Sequence, residues 1–440
     1  MKSIPHFPSQ TFRLAASAAA ITLITGMSAS AVAADNGKYR IGIVTFLSGA
    51  AAGPFGVPAS NAAKLTIDTL NSGKMLAPYT KIGINGLEIE TVLLDEAGGA
   101  TKQAEEFRNL VQRQKVDAVI GYISSGDCLA IAPAAEELGV PTLFFDCGTS
   151  KVFETVKNPK YLFRTGLDAV VDNVAAARYV AETRPNIKTV ASIQQNYAWG
   201  QDSWADFSLS LKQLLPNVSV VSEQWPKLLQ GQYGAEISAL SVSRPDIIHS
   251  SFWGGDMEAL MLQGGARGLF DKSVAVLTAG ETGVETFKSN VPNGTVIGGR
   301  GPYGAFAPKN ALNDWFRPAF TAEFKADPTY PAYKMVQAIL ALKAAAEKTA
   351  KPGVMPTSDQ VVKGLAGLSF EAPSGTVKMA RTNGHQAVQD VSFGEYRFDP
   401  KTGKGSVANV KTYAADCVMP PDGSTPADWI KAGFPGAKCK

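Results

Sequence analysis

The chain has 440 residues, with 42 lysines and arginines against 39 acidic residues, and only four cysteines. That length exceeds what one hydrophobic core fills and suits two domains. The balance of charge, with no basic run longer than a pair, argues against nucleic acid or an anionic membrane surface as a partner.

The first element is a leader. Lys2 and Arg13 flank an apolar run from Leu14 to Met27, and SASAVAAD follows, with small residues where a signal peptidase reads. Residues 1–33 are therefore expected to be a secretory signal cut after Ala33 or Ala34, and not a membrane span. No cysteine sits at the cut, so no lipid anchor is expected. Without Lys2 and Arg13 the mature chain carries 40 basic and 39 acidic residues. No later stretch is apolar for long enough to cross a bilayer. The expectation is a soluble exported chain.

Short apolar runs then alternate with helical patterns. RIGIVTF reads as a strand and PASNAAKLTIDTLNS as a helix; LEIETVLLD is a strand and TKQAEEFRNLVQRQ an amphipathic helix; KVDAVIG and PTLFFD are strands with a helix between them. This rhythm predicts a parallel sheet with helices on both faces. Right-handed crossovers put the C-terminal loops of its strands on one edge. The pattern restarts after YLFRTG, with strands at TVASIQQ, VSVVSEQW, PDIIHSSF and VAVLTAG separated by helices. A second α/β domain is predicted. VIGGRGPY is extended, PTYPAYKMVQAILALKAAAEK is a long helix, and GTVKMARTNGHQAVQDVSFGEYRFD alternates in the manner of antiparallel strands. No flexible linker separates the domains, which are expected to be joined by short extended segments.

The cysteines are even in number, and an exported chain favours disulfides. Cys128 and Cys147 each follow a predicted strand, and Cys417 and Cys439 bracket a Pro-rich tail. Pairs 128–147 and 417–439 are expected, although spacing alone leaves connectivity open. No C-x-x-C spacing occurs and His249 and His385 are isolated, so neither a metal nor a cofactor is expected.

Ligands in open α/β sheets bind beyond the carboxyl ends of the strands. There the sequence places LSGAAAGPFG around Phe55, YISSGD with Tyr122 and Ser125, and DCGTS with Cys147 and Thr149; the second domain contributes QNYAWG with Trp199, SFWGGD with Trp253, and AGET with Glu281. Hydroxyls at a helix N-terminus suit a carboxylate, although Ser125 or Asp127 can equally serve as a helix cap. Two tryptophans beside one acid suit a cation or an amphiphilic organic molecule, or they close a helix–sheet interface. The nucleophile elbow G-x-S-x-G, the phosphate-binding G-x-x-x-x-G-K-[ST] and a strand-following G-x-G-x-x-G are absent, and no chemical step is expected.

The order of these blocks, from strand–LSG–x–FG through LLDEAGGATKQAEEFRNLVQRQKVDAVIGYISSG, AAEELGVPTLFFDCGTS, FRTGLD, NYAWGQDSW, FWGGDMEALMLQGGARG and AGE, resembles the periplasmic branched-chain amino acid binding proteins of ABC transporters. These are leucine-binding-like proteins of type I, and the resemblance runs from about Tyr39 to Pro400. It implies two Rossmann-like α/β lobes with parallel sheets joined by three crossover strands. The lobes are 36–165 plus 302–372 and 166–301 plus 373–415, with 416–440 as a disulfide-closed tail. It implies that Ser125 holds a ligand carboxylate, Thr149 touches both ends of the ligand, and Cys147 presents backbone. Tyr122 is counted with that loop, and Phe55, Trp199 and Trp253 line the side-chain pocket. Glu281 receives an ammonium. Tryptophans in place of the usual tyrosines favour an aromatic, amide or cationic solute over a small aliphatic one, and Asp146 is an unexplained charge beside the carboxylate site. The function implied is that of a periplasmic monomer delivering a small-molecule ligand to an inner-membrane ABC permease. The alternatives are a sensing module for a membrane receptor and an exported hydrolase using Ser125 or a free cysteine.

Overall fold

Apolar, β-branched runs build two sheets in the computed structural model, which describes residues 37–439; the leader expected at 1–33 lies outside them. The first sheet begins with β1 (Tyr39–Thr45), β2 (Ile89–Asp95), β3 (Ala118–Gly121), β4 (Thr142–Phe144) and β5 (Leu162–Arg164), all parallel. β1 is buried along nearly its whole length, as a central strand covered on both faces must be. β2, at the edge, is buried only at Ile89 and is otherwise half-exposed or exposed.

The second sheet takes β6 (Thr189–Ile193), β7 (Ser219–Gln224), β8 (Ile247–Ser250), β9 (Val274–Leu277) and β10 (Val296–Gly298), again parallel. The chain then returns to the first sheet for β11 (Ser369–Ala372), β12 (Gly375–Arg381) and β13 (Gln386–Val388). It finishes in the second with the antiparallel strands β14 (Val391–Asp399) and β15 (Lys404–Tyr413). The orders are β11-β12-β13-β5-β4-β3-β1-β2 and β15-β14-β10-β9-β8-β6-β7. The main chain passes between sheets three times, after Arg164, after Gly298 and at Gln389–Asp390.

One boundary differs from the expectation. The expected second lobe, with 373–415, takes in β12 and β13, yet β12 pairs antiparallel with β11, and Gln386 of β13 pairs with Arg164 of β5. Val377, Met379 and Ala387 are buried in the first lobe's core. The alternation in the sequence identifies these strands but does not say which sheet's edge is free to receive them.

The first lobe's core is organised around the helix Tyr330–Thr349, buried on almost every side. It carries Lys334, Gln337 and Lys343 into the interior. The tail closes through Cys417–Cys439 and packs on the second lobe, with Trp429 buried and Arg178 over the Phe434 ring at 4.6 Å. Among the described residues no helix is long and apolar enough to cross a membrane.

Candidate functional site

The helix Ser125–Leu138 starts directly behind β3. Ser124 is its cap, accepting the Asp127 N–H at 3.5 Å, and Gly139 ends it in the left-handed region, where glycine carries no Cβ penalty. Glu96, at the end of β2, is fully buried and accepts the N–H groups of Ile123 and Ser124 at 2.7–2.9 Å. Burial pushes the Glu96 carboxyl well up, with the Asp127 charge adding to the rise, and burial raises Asp127 to about 6. The acid behind the serines therefore belongs to a buried carboxyl pair that shapes the loop.

Cys128, the next residue, is bonded to Cys147, tying this loop to the one after β4. Ser125 Oγ accepts the Thr149 N–H at 3.2 Å across the same pair of loops. Thr149 Oγ1 in turn donates to Asp202 of the second lobe at 2.5 Å.

The second lobe answers with aromatic side chains held by their polar atoms. Trp199 Nε1 donates to the Ser251 carbonyl at 2.8 Å, and Trp253 Nε1 donates to Tyr197 Oη at 2.6 Å. Phe55 meets the Trp253 and Tyr330 rings edge-on, each at 5.3 Å. Between the lobes lies a narrow cavity of ≈ 10 Å³, room for about one water. Phe55, Ile123, Ser125 and Gly148 line it from the first lobe, Tyr197, Trp199 and Trp253 from the second, and Arg300 and Tyr330 complete it. A larger hollow of ≈ 420 Å³ lies against the tail and the β12–β13 turn, but it contains neither the tryptophans nor Ser125.

Four expected site residues, Ser125, Phe55, Trp199 and Trp253, are brought together; the other four are not among the lining residues. Tyr122 is packed on Phe144 behind the loop. Cys147 spends its N–H on Tyr122 and its carbonyl on Arg164, and Gly148 takes its place at the wall. The Thr149 side chain ties the lobes together instead. Glu281 is fastened by the N–H groups of Ala305 and Tyr330 at 3.0 and 2.9 Å. A Cβ at Gly304 would overlap its carboxylate. Burial raises Glu281 to about 7 despite those two donors.

Arg300 was missed by the sequence reading. It is buried, with a backbone φ of +52° beside Gly301 at +135°, a conformation that non-glycine residues rarely hold. Its Nη1 donates to Asp146 at 2.7 Å and its Nε to Asp172 at 3.1 Å. Asp146 also accepts from Lys334 at 2.8 Å, which accounts for that acid beside the binding loops. The guanidinium lies 4.3 Å over the Trp199 ring. The available signal was an arginine set among glycines in GGRGP. Tyr197 sits in the quoted QNYAWG loop, whereas Tyr330, at the head of a long helix, leaves no sequence mark. Among the described residues no group of three His, Cys, Asp or Glu side chains is placed to hold a metal.

Residues 38–404 match the sequence profile of the family described as periplasmic binding protein. No curated protein matches. The fold is similar to a solute-binding protein of an ABC transporter from Rhodopseudomonas palustris BisB5 in complex with 3,4-dihydroxybenzoic acid (21% identity, 86% of this chain and 98% of that one, TM-score 0.72). A second R. palustris solute-binding protein, in complex with benzoate, is similar at 20% identity, 86% and 98% coverage and TM-score 0.72. The branched-chain amino acid transporter substrate-binding protein LivJ from Streptococcus pneumoniae, in complex with isoleucine, is similar at 20% identity, 85% and 99% coverage and TM-score 0.68. With the profile spanning most of the chain and two α/β lobes meeting over one cavity, the protein belongs to the periplasmic binding protein family.

Proposed function

We propose that the protein is the binding component of an ABC importer, capturing a small, flat organic solute between its lobes in the periplasm and presenting it to the inner-membrane permease. The observation that carries this reading is the composition of the interlobe cavity. Both lobes contribute to it, and five of its nine lining residues (Phe55, Tyr197, Trp199, Trp253 and Tyr330) are aromatic. A solute touching both walls favours the closed form by its differential contacts. Flat rings and amides use aromatic faces better than a branched aliphatic side chain does. The benzoate complexes of the R. palustris proteins and the isoleucine complex of the S. pneumoniae protein mark the two solute classes to separate.

An amino acid ligand, the second reading, requires Glu281 to receive an ammonium, and its carboxylate already accepts two backbone N–H groups. The test is a thermal-shift and tryptophan-fluorescence screen over aromatic acids, amides, amino acids and quaternary amines. A solute at a hundred times its Kd stabilises the native state by about 2.7 kcal/mol. Ring-bearing solutes are expected to raise the midpoint and alter the emission of Trp199 and Trp253. Stabilisation by leucine or isoleucine alone would establish the amino acid reading instead. Deleting the gene should abolish uptake of the solute; unchanged uptake would turn the same lobes into a sensing module.

A further inference from the structure

We infer that two acids of the second lobe, Asp202 and Glu281, are latches that hold the lobes closed whatever the chemistry of the solute.

The observation behind this is where their oxygens go. Asp202, on the helix Ala198–Leu214, accepts from Thr149 Oγ1 at 2.5 Å on one oxygen and from Lys151 Nζ at 2.8 Å on the other. Glu281, just after β9, accepts the Ala305 N–H at 3.0 Å on one oxygen and the Tyr330 N–H at 2.9 Å on the other. Thr149, Lys151 and Tyr330 belong to the first lobe, and Ala305 to the segment that leads back into it. Among the described residues neither carboxylate takes a hydrogen bond from its own lobe.

The first lobe is shaped to receive them. The Lys151 N–H donates to Thr149 Oγ1 at 3.3 Å, which folds that loop around Asp202. Tyr330 opens a 20-residue helix whose cap residue, Thr329, makes no side-chain capping bond. The next residue, Pro331, has no N–H to offer. The buried Tyr330 N–H is therefore satisfied by an acid from the other lobe. Gly304 completes the seat, since a Cβ there would overlap the Glu281 carboxylate. A helix end needs its first donors paired, and this one is completed when the lobes meet.

The Glu281 latch is also proton-linked. Arg317, Asp327 and Tyr333 are the charged and titratable groups that face it. Against the upward pull of burial, hydrogen bonds from Arg317 and Thr321 hold Asp327 below the usual carboxylate range, and burial moves Tyr333 further from neutrality. None of these changes charge near pH 7. Covering Glu281 with the first lobe strips water from its carboxyl and raises it from 4.5 to about 7, against the two N–H donors. The closed form thus keeps a proton that a solvated Glu281 has lost. Its grip is complete below about pH 4.5 and weakens as pH rises through 7.

Interlobe distances in the full mature chain without solute test this, read by paired spin labels at Glu105→Cys and Val242→Cys. Both positions are exposed, on the helices that follow β2 and β7, the sheet edges remote from the crossing segments. The described residues contain no free cysteine to compete for label. Loss of one cap is worth about a fivefold change in a two-state ratio. At about pH 5.5, Asp202→Ala and Glu281→Ala should each lower the closed-to-open ratio by that factor. The double variant should lower it about 25-fold, because the contacts are separate. Thr149→Val removes a donor from the opposite lobe; it should reproduce part of the Asp202→Ala shift and add little to it. Raising the pH to about 8 should open the wild type more than Glu281→Ala. A wild-type chain that is open throughout, or a double variant with unchanged distances, would overturn the proposal. With benzoate and isoleucine as probes, Asp202→Ala and Glu281→Ala should weaken whichever binds by similar factors. A loss confined to isoleucine and to Glu281→Ala would make Glu281 an ammonium receptor instead. The distances are measured without solute, so they decide the latches even where the proposed solute class fails.

Discussion

Gly148→Ala is the sharpest probe of lobe closure. Gly148 lies where the first lobe's second binding loop meets the other lobe. A methyl group there would sit 2.5 Å from Trp199 Cε3, nearer still to Cζ3, and 2.6 Å from Arg300 Nη2. Neither neighbour yields freely. The indole is anchored on the Ser251 carbonyl and the guanidinium on two carboxylates. The Gly148 backbone is not among those in the left-handed region, so alanine fits the loop of an isolated lobe, and the conflict arises only on closure. Overpacking of this kind costs about 1–3 kcal/mol. Falling on the closed form, it reduces apparent affinity in proportion to the closed population, which is about 5- to 150-fold at 1.4 kcal/mol per decade. Titration with the strongest solute of the screen, together with the ligand-free radius of gyration from small-angle scattering, measures both consequences. Wild-type affinity would show that the lobes do not close onto Gly148. Lost affinity accompanied by a much lower melting temperature would place the damage inside the lobe and refute the argument.

Two further outcomes follow from the bonds around the site. Removing the 128–147 disulfide by a double Cys→Ala change should lower unfolding stability by about 3 kcal/mol, given that its ends are 19 positions apart in sequence, and should weaken solute binding because Ser125 and Gly148 sit on the two bridged loops. The same change at 417 and 439, 22 residues apart, should cost similar stability in urea yet leave affinity unchanged, since no tail residue lines the interlobe cavity; equal loss of affinity in both variants would contradict this. Glu281, raised by burial from 4.5 to about 7, keeps its proton in the native state over a range where the unfolded chain has lost it. Its contribution is therefore complete below about pH 4.5 and disappears as pH rises through 7, up to about 3 kcal/mol at 1.36 kcal/mol per pH unit. Glu281→Gln should accordingly gain stability relative to wild type between pH 4.5 and 8 in urea unfolding, and parallel pH profiles for the two proteins would refute the assignment.

The fold was legible wherever local pattern decides it. Short, β-branched apolar runs such as RIGIVTF and KVDAVIG suit central strands, and their alternation with helices points to parallel pairing. Pattern does not determine which sheet an antiparallel strand joins, and β12 and β13 went astray for that reason. At the site, Ser125, Phe55, Trp199 and Trp253 were visible because each lies in the segment between a strand and the body of the helix that follows it. Arg300 was not, because its role is set by partners from distant segments: Asp146 from the loop after β4, Asp172 from the helix Ala169–Thr183, and Tyr330 from the helix it begins. Glu281 stands at the end of β9 as expected, but the turn at Gly304 brings the Ala305 N–H onto its carboxylate, a contact 24 residues away that no spacing announces.

The charges at the crossing make physical sense only if closure is conditional. Asp146 and Lys334 belong to the first lobe, Asp172 to the second, and Arg300 to a segment that passes between them. Two bases against two acids leave the cluster neutral, so it holds no net charge to attract a solute at long range. Burying such pairs gains little over well-packed apolar residues, because desolvation offsets their attraction. Separating the lobes would return these groups to water and relieve that penalty, so the cluster adds little to the stability of the closed arrangement, and closure is decided by what the solute contacts on both walls.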